Sequence, residues 1–356
     1  MKTNITTSNI LRVCAILLVL VLAWYFSNLV LYLFLAFIFS LIGKPIANII
    51  SQIKLYKFRI PYGISTMLTM MVFILIFVLA LLFIVPVLTR EAQVIAGINY
   101  DDLSRNLSNL LDHVQDFLYN NNLMDKPETL VGLVTAEIKN FANLTNFSNL
   151  LGGVVSATGS FLMGLFAVFF LTFFFIKDDI RIDGVAQLLF DKQHAMRLTV
   201  VSEKINKLLS RYFIGLLCEI VSMITLLYIG MALFGIRGAL LMAFFGGMLN
   251  AIPYLGPLIG IVCSCLFGVF DCLSVNDYQA ILPTTLEIGG TFVVANVIDN
   301  IVLQPLIYSQ SVKAHPVEIF LVIIMGGSFA GIMGMLFAIP VYTIIRTIVV
   351  EIFKDM

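Results

Sequence analysis

The sequence predicts an all-α polytopic membrane protein, and three observations carry that prediction. Of its 356 residues, 60% are hydrophobic and only 12% are charged, against roughly 45–50% and about 25% in soluble domains. Mean hydropathy is +1.02. Apolar runs near or above the ~20 residues of a helical crossing fall at 10–26, 28–43, 62–88, 151–176, 212–234, 238–272, 281–303 and 316–345. The charged residues lie mostly between these runs and are unevenly signed. Lys plus Arg is 21 and Asp plus Glu is 21, so the chain has no basic footprint for a phosphate backbone. So apolar a chain does not read as a soluble enzyme, and no nucleic-acid partner is expected.

Residues 1–88 read as N-terminal membrane helices. Lys2 and Arg12 flank an apolar run without a small-residue cleavage site, so it reads as a retained first helix. It would form a tight hairpin with 28–43. The loop 43–60 carries Lys44, Lys54, Lys57 and Arg59 and no acid. Excess Lys and Arg mark cytoplasmic loops, which places this loop and the N-terminus inside. Residues 89–150 carry four basic and eight acidic residues and are expected outside, as a small extracytoplasmic helical subdomain. Leu103, Leu107, Leu110, Leu111, Val114 and Leu118 recur there at helical spacing. The Asn106, Asn143 and Asn146 glycosylation patterns in that stretch are the kind that arise by chance in Asn-rich sequence. Residues 151–176 form the next membrane helix, and 177–211, with seven basic residues, a cytoplasmic linker.

Residues 212–345 read as a transport core, followed by a cytoplasmic tail at 346–356. The runs 238–272 and 316–345 are too long for one crossing, and each is interrupted. Gly246, Gly247, Asn250, Pro253, Gly256, Pro257 and Gly260 break the first, and Gly326, Gly327, Gly331, Gly334 and Pro340 the second. Two re-entrant hairpins satisfy the charge pattern. A crossing plus a hairpin then repeats once with inverted orientation, the arrangement that marks transporter binding sites. Close helix packing through the glycines is the alternative.

Acids in apolar runs are costly and face the bundle interior or an interface. Asn296, Asp299, Asn300 and Gln304 have spacings that put them on one helix face. They form either a transport path or a hydrogen-bond network. Glu219 follows Arg211 by two turns and either pairs with a base or binds a proton or cation. Glu287 and Glu318 are expected near the surface, and His315, before Pro316, reads as a helix-entry residue. The five cysteines lack zinc-ligand spacing, so neither a metal nor a disulfide framework is expected. No cofactor and no catalytic motif is recognisable.

The ordered set Asn250-Ala-Ile-Pro253-Tyr254-Leu-Gly256-Pro257-Leu-Ile-Gly260, Asp299-Asn300, Gln304-Pro305, His315-Pro316 and Gly326-Gly327 through Gly331, Gly334 and Pro340 resembles the signature of the autoinducer-2 exporter family of bacterial permeases. Arg211-Tyr212 fits as well. Asp299 stands where the family commonly has Glu, which keeps the acid. The resemblance covers the whole chain. It implies a multi-pass inner-membrane transporter, export of a small furanone-type signal, sodium/proton antiport in some relatives, and a homo-oligomer, with a pentamer as one form.

The expectation is therefore a secondary transporter of a small polar solute or ion. Asn250, Pro253, Tyr254 and Gly256 would face Gly327, Ser328 and Gly331 at the hairpin tips, with Pro257 and Gly326 alongside. Asp299, with Glu219 and Arg211, would couple proton or cation movement. A channel or cation/proton antiporter on the same scaffold is one alternative. A membrane scaffold acting through the outside subdomain is another.

Overall fold

A computed structural model describes residues 21–22, 25–55, 58–96, 158–178, 192–275, 277–305 and 315–353. Most of the expected crossing at 10–26 and nearly all of the expected outside subdomain lie beyond them. The helices are α1 (Ser27–Gln52), α2 (Tyr62–Ala96), α3 (Thr158–Lys177), α4 (Lys192–Leu233), α5 (Ala239–Leu249), α6 (Leu255–Ser274), α7 (Ile281–Ile298) and α8 (Pro316–Phe353). Strands β1 (Lys54–Leu55) and β2 (Phe58–Arg59) pair antiparallel, with Lys54 opposite Arg59. Among the described residues, six helices are long and apolar enough to cross a membrane. The molecule is a multi-pass membrane protein. Its large apolar side chains are widely exposed, as on Ile64, Leu82, Leu282, Leu286 and Ile301, the pattern of a surface whose solvent is lipid.

The described residues fall into two compact units, one within 1–76 and 157–206, the other within 77–156 and 207–356. In the first, α1 buries a stripe of small residues, Ala36, Ser40, Gly43 and Ala47. Small residues let helix backbones approach closely where lipid supplies no hydrophobic drive. A Cβ added at Gly43 would strike the Ile176 and Phe73 side chains. Thr172 donates to the Val168 carbonyl at 2.7 Å and to Ala36 of α1 at 3.4 Å. Thr66 and Thr69 return their hydroxyls to carbonyls one turn back, so burial leaves no orphan donor there. The same stripe corrects an expectation. Helix α1 does not stop near 43 but runs through Pro45 to Gln52, because Ala47 continues the packed face. The expected loop at 43–60 shrinks to the short β-hairpin and its flanks.

In the second unit, the core gathers Met223, Leu227 and Met231 of α4, Ala239, Met242 and Ala243 of α5, and Ile288, Phe292 and Ala295 of α7. The α5–α6 pair is a tight helical hairpin. A Cβ at Gly256 would overlap the Leu249 carbonyl, and one at Gly260 would lie 3.3 Å from the Gly246 Cα. Ser264 donates to the Met242 carbonyl at 3.4 Å. Gly246 and Gly260 lie seven residues either side of Pro253, and Met242 and Ser264 eleven, as antiparallel arms require.

Helix α8 reverses in the same way. Ala330 (φ −140°, ψ 22°) and Gly331 (φ 59°, ψ −140°) break it. Gly326 and Gly334, four residues either side of Ala330, touch so closely that a Cβ on either would overlap the other's carbonyl. Tyr342 donates to Glu318, each twelve residues from the turn. Both hairpins pair a short first arm with a long second one. The short arms, 239–249 and 316–329, are only about 16 and 21 Å long at 1.5 Å per residue. Helix α4 is longer than expected. Its start at Lys192 makes half of the expected linker helical and continuous with the crossing.

Candidate functional site

Among the described residues, the acids that are fully buried are Glu219, 5% exposed, and Asp299, 1% exposed. The fold brings both to Asn250. Gly247 of α5 packs directly on the Ile224 backbone of α4. That close approach carries Asn250, one turn later, over Glu219, which lies just over one turn before Ile224. Asn250 Nδ2 donates to Glu219 Oε1 at 3.3 Å, and the same side chain faces the Asp299 carboxylate. On α7, Ile288, Phe292, Ala295 and Asp299 follow helical spacing along the core-facing stripe. The Phe292 ring occupies the gap left by Gly246 and Gly260, at each of which a Cβ would meet it. Tyr212, buried and two turns before Glu219 on α4, lies within electrostatic reach of it.

Helix α7 then widens into a π turn at Asp299–Leu303, closed by the Gln304 N–H donating to the Asp299 carbonyl. Single π turns inside α-helices are frequent at functional sites. Here the turn redistributes the polar stripe expected from spacing. Gln304 Nε2 reaches Asp299 Oδ2 at 2.9 Å. Asn296 and Asn300 donate back to the carbonyls of Phe292 and Asn296, each at 2.8 Å, and Asn300 is exposed. The four residues therefore do not share one face. Asp299 Oδ1 is buried without a hydrogen-bond partner. Among the described residues, no three His, Cys, Asp or Glu side chains gather as metal ligands.

The loop 250–254 closes the first hairpin under strain. Tyr254 has φ 67° and ψ −50°, left-handed values that are uncommon without glycine. It is the middle residue of a γ-turn in which the Leu255 N–H donates to the Pro253 carbonyl at 2.8 Å. The Gly256 N–H donates to the Ile252 carbonyl at 2.8 Å, and Pro257 has no N–H. The first turn of α6 has thus largely consumed the donors that were expected to be open to a solute. Tyr254, 48% exposed, meets Phe320 edge to face with centroids 6.1 Å apart.

That contact bears on the expected meeting of tips. Phe320 lies on the first arm of the second hairpin, eight residues, or about 12 Å, from Ser328. Ser328 is exposed and returns its hydroxyl to Ile324 at 3.1 Å, and Gly331 is exposed at the turn. The first tip therefore lies beside the start of the second hairpin. Arg211 is exposed while Glu219 is buried, so the two occupy different surroundings. His315 caps α8, its Nδ1 accepting from the Val317 N–H at 3.3 Å, in keeping with a helix-entry residue. Phe320 and the Glu318–Tyr342 pair were not expected from the sequence. Equal spacing about residue 330 is the signal that would have paired Glu318 with Tyr342.

The chain is similar to known proteins named as transport proteins and permeases. "Putative transport protein YueF" of Bacillus subtilis is 24% identical over 335 residues, 93% of this chain and 86% of that protein. "Putative transport protein YrrI" of the same organism is 28% identical over 187 residues, 52% of this chain and 50% of that protein. "Putative permease PerM" of Escherichia coli is 22% identical over 179 residues, 50% of this chain and 48% of that protein. The profile of the AI-2E family transporter matches residues 13–354. The buried acids of α4 and α7, joined through Asn250 of the first hairpin, therefore sit in a chain that belongs to the AI-2E transporter family.

Proposed function

We propose that the protein is a secondary transporter that moves a small polar solute across the inner membrane and couples that movement to a proton or cation gradient. The observation that carries this reading is the buried junction of Glu219, Asn250 and Asp299. Ionisable groups at membrane depth are expensive and mark substrate and ion pathways. The short hairpin arms support re-entry, since about 16 and 21 Å fall short of a ~30 Å hydrocarbon core. Paired interrupted segments in the two halves of a core are where transporter sites form. The termini are cytoplasmic and the working form is a homo-oligomer in this reading. The family name supplies autoinducer-2 as the first solute to assay.

A cation/proton antiporter on the same scaffold is the second reading, favoured by the unpartnered Asp299 Oδ1. Purified protein in liposomes separates the two. Uptake of autoinducer-2 and of a panel of polar solutes is compared with sodium-driven proton flux, for the wild type and for Asp299→Asn. Solute flux lost in the variant supports the transporter reading. Sodium-driven proton flux without solute movement supports the antiporter. Flux unchanged in Asp299→Asn removes the buried junction from the mechanism. A scaffold role would instead be lost on deletion of 95–145, with the core still folded.

A further inference from the structure

Within the transport reading the coupling ion is open, and the surroundings of Asp299 narrow it. Its Oδ1 is buried and has no hydrogen-bond partner. The polar groups that face the carboxylate are the amides of Gln304 and Asn250. Gln304 turns its NH2 end, with its positive hydrogens, toward the acid. A metal ion needs several converging oxygens, and an NH2 group beside the carboxylate works against one. A proton needs only the lone pair that Oδ1 leaves unused.

The helix itself depends on the same residue. Two hydrogen bonds from Gln304 to Asp299 span five residues, one from the backbone N–H and one from Nε2. In regular α-helix, residue 304 would be turned about 140° from residue 299, and the side-chain bond would break. A hydrogen bond to an ionised carboxylate is about twice as strong as a neutral one. The charge on Asp299 therefore strengthens the side-chain bond that spans the π turn.

We propose that Asp299 Oδ1 is a proton-binding site, and that its occupancy sets the register of α7 through Gln304. The ionised carboxylate keeps Gln304 and the π turn. Protonation at Oδ1 leaves Oδ2 a neutral carbonyl oxygen that accepts more weakly from Gln304, and the turn relaxes toward α. The step is a plain protonation. Oδ1 gains the proton as an O–H, the carboxylate loses its charge, and nothing is oxidised or reduced. Among the described residues, the titratable groups near the site are few. Glu219 of α4 shares Asn250 with Asp299, and Tyr212 stands within electrostatic reach of Glu219. Helix α5 carries no titratable residue. Cys265 and Cys272 of α6 meet Thr285 and Thr284, at the other end of α7. Glu287 on α7 lies about 18 Å before Asp299.

The test is infrared spectroscopy of the full chain in phosphatidylethanolamine–phosphatidylglycerol vesicles, with aspartates carrying carbon-13, joined to hydrogen exchange of the segment 299–305. In the wild-type minus Asp299→Asn difference spectrum, a protonated-carboxyl stretch with the isotope shift should appear at low pH and be lost as pH rises. In the Asp299→Glu minus Asp299→Asn difference it should appear without the isotope shift. Exchange at 299–305 should be faster whenever the band is present, and fast at every pH in Gln304→Leu. A difference spectrum without that band overturns the site, as does a difference band that sodium or potassium removes at fixed pH. Exchange that ignores the band overturns the link to register. The readouts need no solute. A pH-dependent band in a chain that moves no solute would overturn the transport reading and leave this one standing.

Discussion

An alanine methyl at Gly256 would sit inside the Leu249 carbonyl and against the Asn250 Cα, whereas one at Gly290 would meet no atom within 4 Å. Gly256→Ala should therefore lower stability by about 1–3 kcal/mol, the usual cost of overpacking. Gly290→Ala should raise it by about 0.5–1 kcal/mol through helix propensity. Thermal denaturation in detergent checks both, and equal shifts would contradict the close packing of the first hairpin. Tyr254 poses a different question at the same scale. Its left-handed backbone costs about 1–2 kcal/mol, and its ring contact with Phe320 returns about 0.5–1.5 kcal/mol. Tyr254→Gly removes both, so stability should change by less than about 1 kcal/mol while flux falls. A variant with full flux would show that the strained turn does not position the site.

At the scale of elements, each hairpin is a pair of arms held by glycine contacts and closed by an unusual turn. Gly331 needs a backbone region that is essentially closed to other residues. Gly331→Val should cost about 1–3 kcal/mol and separate the arms, which spin labels at Val317 and Val341 would report as a longer distance. An unchanged distance would contradict the turn. The broken runs at 238–272 and 316–345 were legible in the sequence because Gly and Pro interrupt apolar stretches too long for one helix. The π turn was not, because Asn296, Asp299, Asn300 and Gln304 have spacings that a regular α-helix accommodates. Only the fold shows that Asp299 and Gln304 pair at a distance of five residues. The end of α1 was not legible either. The basic residues from Lys44 onward mark a loop, yet Ala47 packs as part of the same buried stripe and the helix runs on to Gln52.

Among the described residues, large apolar side chains are widely exposed, and the two buried acids meet at a junction of three distant stretches of sequence. Glu219, Asn250 and Asp299 were each visible in the sequence as polar groups in apolar runs. Their meeting was not, since it depends on Gly247 seating α5 on α4 and on Phe292 filling the gap beside Gly246. The tips of the two hairpins, expected to face each other, instead leave Tyr254 beside Phe320. In the proposed reading, what makes these parts one machine is a coupling between a gradient and the buried acids. A loss of about 1.4 kcal/mol in such a coupling is already tenfold. The decisive measurement is solute flux into liposomes under an imposed pH gradient, wild type against Asp299→Asn at matched incorporation. Flux that rises with the gradient in the wild type, and falls about tenfold or more and ignores the gradient in the variant, is the expected result. Equal flux with equal gradient dependence in both proteins would contradict it.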